Sequence, residues 1–245
     1  MSIYDSIDAL LGRNTQTLLP TEFILALVRR EVEALSGEGI MMDGFPRGLD
    51  QVSYSLYFRD IMNLRDDPDF FVLIDVPDSV IDARMKARVV CPKCNLSRNS
   101  KFLITKNIEY DTEEESYHLL CDNPACEGVG TERLVTKEGD ELGTEGIRER
   151  LEADDELVKY ALRLRGIPKI MLKNTVPVDQ AEELVDPYEL STEYVFDYDM
   201  DKKEVISSTK PWIVKDENGE DAYSLMAPAV VLSFIDQVHT LLVDN

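Results

Sequence analysis

Four cysteines fall in two pairs, Cys91-Pro92-Lys93-Cys94 and Cys121-Asp122-Asn123-Pro124-Ala125-Cys126. Thiolates in proline-containing knuckles suit a closed, structural zinc site, tetrahedral with Zn–S distances of about 2.3 Å. His118 is an alternative to one of the cysteines as a ligand. Nothing in the sequence indicates export, so metal binding is the expectation rather than two disulfides. A second set of reactive groups lies in Gly39-Ile40-Met41-Met42-Asp43-Gly44-Phe45-Pro46-Arg47-Gly48-Leu49-Asp50-Gln51, which joins an acid, a guanidinium and an amide in one short stretch. A third is the basic pair Arg84 and Arg88, directly ahead of the first knuckle.

The elements that must position these groups follow from periodicity. Ile40 to Met42 is an apolar run with glycine on either side, read as a buried parallel strand that ends in Asp43 at the mouth of a sheet. Gly44 permits a sharp exit, Pro46 fixes the backbone, and Arg47 starts a helix through Gln51 towards Met62. On its own, such an aspartate could equally cap that helix. Residues 1–17 read as a lead-in helix. Residues 21–35 read as an amphipathic helix with Phe23, Leu27, Val28 and Leu35 inward. A helix over 49–64 and a strand over 70–76 complete a βαβ unit with a right-handed crossover. Residues 78–89 read as a helix that puts Arg84 and Arg88 on one face, an arrangement that elsewhere is a solvated basic pair. The cysteine pairs bracket short strands and turns, and a helix resumes over 146–165. In the tail, Tyr194 to Tyr198 alternates, Val205-Ile206 or Trp212 to Val214 can pair back, and 222–243 reads as a closing helix. Solitary Trp212 is expected in packing.

Length and charge narrow the function classes. At 245 residues the chain suits one α/β domain with an insertion. Its 48 Asp and Glu against 26 Lys and Arg give a formal charge of −22, which opposes non-specific hold on nucleic acid or anionic membrane. No apolar run approaches the ~20 residues of a membrane span, and Met1-Ser2-Ile3-Tyr4-Asp5 lacks a signal-peptide pattern. A soluble, cytoplasmic protein with no nucleic acid or membrane partner is expected.

Asp43-Gly44-Phe45-Pro46-Arg47, followed by Gln51, resembles the signature of adenylate kinases and related nucleoside monophosphate kinases. Leu18 to Val28 resembles the helix that enters their monophosphate site, Phe71 to Pro77 resembles their next strand, and the likeness runs from about Leu18 to Leu164. It implies an α/β fold of the P-loop-kinase kind: a parallel sheet with flanking helices plus a zinc-binding lid insertion. The implied division is a core of 1–89 and 147–245 and a lid of 90–146. The family's first strand and glycine-rich phosphate loop are expected ahead of residue 1, because no Gly-Lys-Ser/Thr occurs in this sequence. The chain is then a fragment, one part of a split enzyme with a separate P-loop chain, or a degenerate protein.

The resemblance further implies reversible γ-phosphoryl transfer from ATP to AMP or another nucleoside monophosphate, with Mg²⁺. Asp43 would hold Mg²⁺ through water, beside Gly44. Arg47 would grip the acceptor phosphate, and Gln51 would read its base. Arg84 would stack on the donor adenine, Arg88 would contact the donor phosphates, and Arg163 would bridge both nucleotides. Ala87 replaces the family's usual glycine. Asp154-Asp155 would hinge the lid, and Arg150, or else Arg148, would serve for the family arginine whose place Glu152 takes. The rival reading is a non-catalytic nucleotide-binding or zinc-ribbon interaction module derived from that family. Asp111, Glu113, Glu114 and Glu115 inside the insertion weaken any nucleic-acid role for it.

Overall fold

The computed structural model describes residues 4, 7, 21–35, 39–44, 46, 48–49, 51–52 and 70–243. They divide into two compact units, one within Met1–Phe71 and Glu149–Lys169, the other within Val72–Arg148 and Ile170–Asn245. Most of the lead-in expected over 1–17, and of the helix expected over 49–64, lies outside the described residues.

In the first unit, α1 (Thr21–Ala34) forms as its amphipathic pattern requires. Leu25 and Val32, one heptad apart, are its buried residues; Phe23 and Leu27, expected inward, lie round the helix from them and are only half-buried, as are Val28 and Leu35. Ile40 to Met42 joins no ladder among the described residues, and Met41 is 79% exposed. In place of the strand expected there, the chain has no regular secondary structure on its approach to a turn at Asp43 and Gly44. An apolar run becomes a strand only when a neighbouring edge pairs with it, and composition does not supply the edge.

The second unit begins with β1 (Phe71–Asp75) and α2 (Asp78–Lys86). The helix stops at Lys86, because Arg88, Val89 and Val90 enter β2 (Arg88–Val90) instead. Arg84 and Arg88 thus do not share a helix face. The β-branched pair and the cysteine turn beyond it favour the extended chain. β2 lies between β3 (Ser97–Asn99) and β6 (Val135–Thr136), and β4 (Ile108–Asp111) pairs with β5 (Ser116–Leu119) as a hairpin.

A kinked 3₁₀ segment, Asp140–Ile147, leads out of this insertion into α3 (Arg148–Arg163), which continues in the first unit. At the kink, Gly143 has φ 58 and sits where an added Cβ would lie 2.0 Å from Asp82 Oδ1. The same Asp82 carboxylate accepts the Thr144 N–H at 3.1 Å and pairs with Lys86 at 2.8 Å. The segment's approach to α2 therefore requires glycine.

The chain returns as β7 (Lys169–Lys173), parallel to β1: the Phe71 N–H donates to Pro168 O and the Asn174 N–H donates to Asp75 O. β8 (Thr175–Pro177), a short α4 (Ala181–Leu184), and the long hairpin of β9 (Thr192–Asp199) and β10 (Glu204–Pro211) follow. β11 (Ile213–Lys215) and β12 (Asp221–Ser224) join β8 in a three-stranded sheet, and α5 (Ala227–Val243) ends the described chain. The β character expected for the tail is thus present, with Val205 and Ile206 pairing back on Tyr198 and Asp197. The closing helix starts at Ala227 rather than 222, because Ala222 is taken by β12.

Val80 of α2, Trp212, Val214 and Ala222 make one core, with Val76, Ala83 and Phe102 packed on it. Trp212 is buried against Phe102 at a centroid distance of 4.1 Å, the packing role expected of it. α5 buries only Ala229 and Val230 and leaves Val231, Leu232, Ile235 and Leu242 exposed. Among the described residues no helix is long and apolar enough to cross a membrane.

Candidate metal centre

Both knuckles are shaped by backbone hydrogen bonds before any ligand is considered. In the first, the Cys91 N–H donates to Leu96 O and Cys91 O accepts the Asn95 N–H, both at 2.9 Å, and Asn95 adopts φ 57 to close the turn. In the second, the Cys121 N–H donates to Glu132 O at 2.8 Å and Cys121 O accepts the Gly130 N–H at 2.7 Å. The Cys126 sulfur accepts the Gly128 N–H at 3.4 Å.

These turns bring all four Sγ atoms within 4.8 Å of one another. Cys91 and Cys126 are 3.9 Å apart, Cys94 and Cys121 3.7 Å. A disulfide would need about 2.05 Å, whereas a tetrahedron of sulfurs around zinc at about 2.3 Å has edges of about 3.8 Å. The cysteines are free thiols, three of them buried. Leu119 and Leu134 complete their core, with Leu96, Ile104, Ile108 and Phe196 against it.

The electrostatics agree with a shared charge. The Asn123 side chain and the Leu96 N–H bring the Cys94 thiol down to about 6, while burial pushes Cys121 up to about 12. One thiolate is favoured and its buried neighbour resists a second; a dication would offset four. The donor set fits zinc, and a Cys₄ site is structural, without an open position for chemistry.

His118 is not part of this cluster. Its Nε2 meets Ser116 Oγ at 2.9 Å and Glu114 Oε2 at 3.1 Å. Asp111 approaches the same pair, but its Oδ1 accepts the Glu113 and Glu114 N–H groups and its Oδ2 accepts from Arg133 at 2.8 Å. Arg133 and those amides hold Asp111 at about 2. Its oxygens already serve the turn and Arg133.

Arg88 is bound side-on by Asp140: Nε donates to Oδ2 at 2.5 Å and Nη2 to Oδ1 at 2.6 Å. Among the described residues its Nη1 has no such partner. Arg84 lies over the Trp212 ring at 5.9 Å, and its Nη2 reaches Ser224 Oγ at 3.5 Å. Ser224 Oγ in turn donates to buried Asn174.

In the other unit, Asp43 is exposed at the turn, Gly44 has φ 68, and Gln51 is half-buried in a helical turn. Arg150 faces Asp154 at 3.8 Å, and Arg163 is exposed in the last turn of α3. Arg148 pairs with Glu145. Arg47 lies outside the described residues. Sequence reasoning missed Asp140, Asp82 and Phe196; Gly139, Gly143 and Gly146 around Asp140 signalled a tight segment, but not its partner.

No protein-family profile matches the chain. Curated proteins similar to it include adenylate kinases of Hydrogenobaculum (32% identical over 108 residues, 44% of this chain and 46% of the relative) and of Kosmotoga olearia (31% over 135 residues, 54% and 53%). The adenylate kinase of Thermotoga petrophila is 30% identical over 167 residues, covering 66% of each chain. The chain spans about half the length of the first two of these relatives. An α/β protein with a parallel strand pair, flanking helices and a four-cysteine cluster is therefore homologous, over the matched stretch, to the adenylate kinases. Its clustered cysteines fit a zinc-binding lid.

Proposed function

We propose that this chain is part of a nucleoside monophosphate kinase that reversibly transfers the γ-phosphoryl group of ATP to AMP. Homology to adenylate kinases from several organisms is the observation that carries this reading. Such chemistry needs no covalent nucleophile, only aligned oxygens and neutralised charge, so arginines dominate the list of working residues. Magnesium bound with ATP supplies part of that neutralisation, and Asp43, beside Gly44, would hold it through water.

Arg47 would grip the acceptor phosphate bidentately and Gln51 would hydrogen-bond its base. Arg88, oriented by Asp140, would offer its Nη1 edge to donor phosphate. Arg84 would stack on the donor base with the face turned away from Trp212. Arg163 and Arg150 would add positive charge between the nucleotides. We take residues 90–146 as the lid, and 1–89 with 147–245 as the core. The triphosphate cradle would come from a Gly-Lys-Ser/Thr loop outside these 245 residues, on the same polypeptide or a separate one.

Two measurements test this. In calorimetry, Arg47→Ala should weaken AMP binding by about 1.5 to 3 kcal/mol, the scale of a charge-assisted hydrogen bond; equal affinities would remove the acceptor-site assignment. In a coupled assay the 245-residue chain alone should run at least ~10³-fold slower than an intact relative, and recover when a phosphate-loop piece is fused or added. Failure of a well-folded supplement to restore activity would favour the non-catalytic module.

A further inference from the structure

The tail hairpin has no part in the proposed chemistry, yet it lies on the cysteine insertion. Alternation along β9 puts Phe196 and Tyr198 on one face, with Val195 and Asp197 exposed on the other. Tyr198 stacks on Tyr110 of β4 at 4.4 Å, with ring planes 25° apart. Phe196 meets Tyr117 of β5 at 5.4 Å and also packs against the core that contains the thiols. The Tyr194 N–H donates to Lys101 O at 2.8 Å. Where the hairpin ends, Phe102 of the insertion is held under Trp212, and Ser79 of α2 donates to Lys215 O at 2.6 Å. The tail thus touches the insertion at both ends of one continuous strap and is itself anchored on α2.

We propose that the β9–β10 hairpin is a strap across the cysteine insertion, holding its β4–β5 hairpin in place and sealing the thiol cluster behind Phe196. The sealing half rests on the zinc reading of the cysteines; the holding half does not. The strap makes two independent fastenings of one small insertion, metal inside and aromatic rings outside. Loss of either leaves the other.

The full chain, loaded with zinc alone, tests both halves without any nucleotide. Transfer of zinc to a chromophoric chelator should be at least ~10-fold faster in Phe196→Ala than in wild type, and close to wild type in Phe196→Leu, which keeps the seal apolar. Hydrogen exchange of the amides from Ile108 to Leu119 should quicken by a similar factor in Tyr198→Ala, with zinc content unchanged. Should Phe196→Ala not fold, Phe196→Val, which keeps an apolar group but leaves much of the ring's space open, and the Tyr198→Ala exchange measurement carry the test. Wild-type rates of zinc transfer in folded Phe196→Ala, or in Phe196→Val in its place, overturn the seal, and wild-type exchange in folded Tyr198→Ala overturns the strap. If the protein takes up no zinc at all, the metal reading fails while the exchange measurement still decides the holding role.

Discussion

Replacing Asp140 by asparagine isolates the pair that ties the exit of the insertion to β2. The Asp140 side chain is 5% exposed and Arg88 37%, and two hydrogen bonds of 2.5 and 2.6 Å join them. Asparagine keeps the shape but removes the charge and presents an N–H₂ group to a guanidinium. Losing a hydrogen bond to a charged group costs about 1.5 to 3 kcal/mol. Because more than a third of Arg88 is in water and can be resolvated, the lower part of that range applies, about 1.5 to 2 kcal/mol. With a urea slope of about 2 kcal/mol/M, the unfolding midpoint should fall by roughly 1 M at pH 7.

The effect of pH has a definite sign. Hydrogen bonding to Arg88 is the largest influence holding the Asp140 carboxyl below its ordinary value, against the opposing push of burial. A carboxyl depressed in the folded state stabilises above its unfolded value of about 3.9, and that contribution is lost as pH falls through the folded value. The midpoints of wild type and Asp140→Asn should therefore be furthest apart near neutrality and converge in acid. Midpoints within about 0.2 M of each other at pH 7 would show that the pair contributes nothing measurable, and the reasoning would fail.

Purified protein should contain one zinc ion per chain, and Cys94→Ser should lose it, because four clustered thiols at tetrahedral spacing bind zinc far better than three and a hydroxyl; elemental analysis without metal, and four freely titratable thiols, would contradict this. Gly143→Ala forces a side chain into φ 58 and to 2.0 Å from Asp82 Oδ1, so it should cost about 2 to 4 kcal/mol and lower Tm by about 5 to 15 °C. An unchanged Tm would mean that the kink relaxes freely.

The parts legible in the sequence are those decided by neighbours along the chain. Two cysteine knuckles, the existence of helix α1, and the alternation Tyr194 to Tyr198 all carry their signal within a few residues, although the face α1 buries, at Leu25 and Val32, is not the one its sequence suggested. What sequence reading missed depends on partners far away. Ile40 to Met42 had the composition of a strand but needed an edge to pair with. Arg88 had helical spacing from Arg84, but Val89 and Val90 pair with Thr136 and Val135, and that ladder outweighed local propensity. Asp140 is separated from Arg88 by 52 positions, and nothing short-range announces such a bond. Phe196 looked like one more alternating residue until its face met the thiol core.

The position of Phe196 in the chain also orders events during synthesis. Cys126, the last thiol, leaves the ribosome 70 residues ahead of Phe196. At about 5 to 20 residues per second that interval lasts roughly 4 to 14 s. For most of it the four thiols and the strands around them, through Thr136, are already translated, while the aromatic cover does not yet exist. Metal entry is unobstructed in those seconds and hindered afterwards. A nascent chain starved of zinc in that window would have its cysteines roofed over empty, and supplying the ion later would meet a closed door rather than an open site.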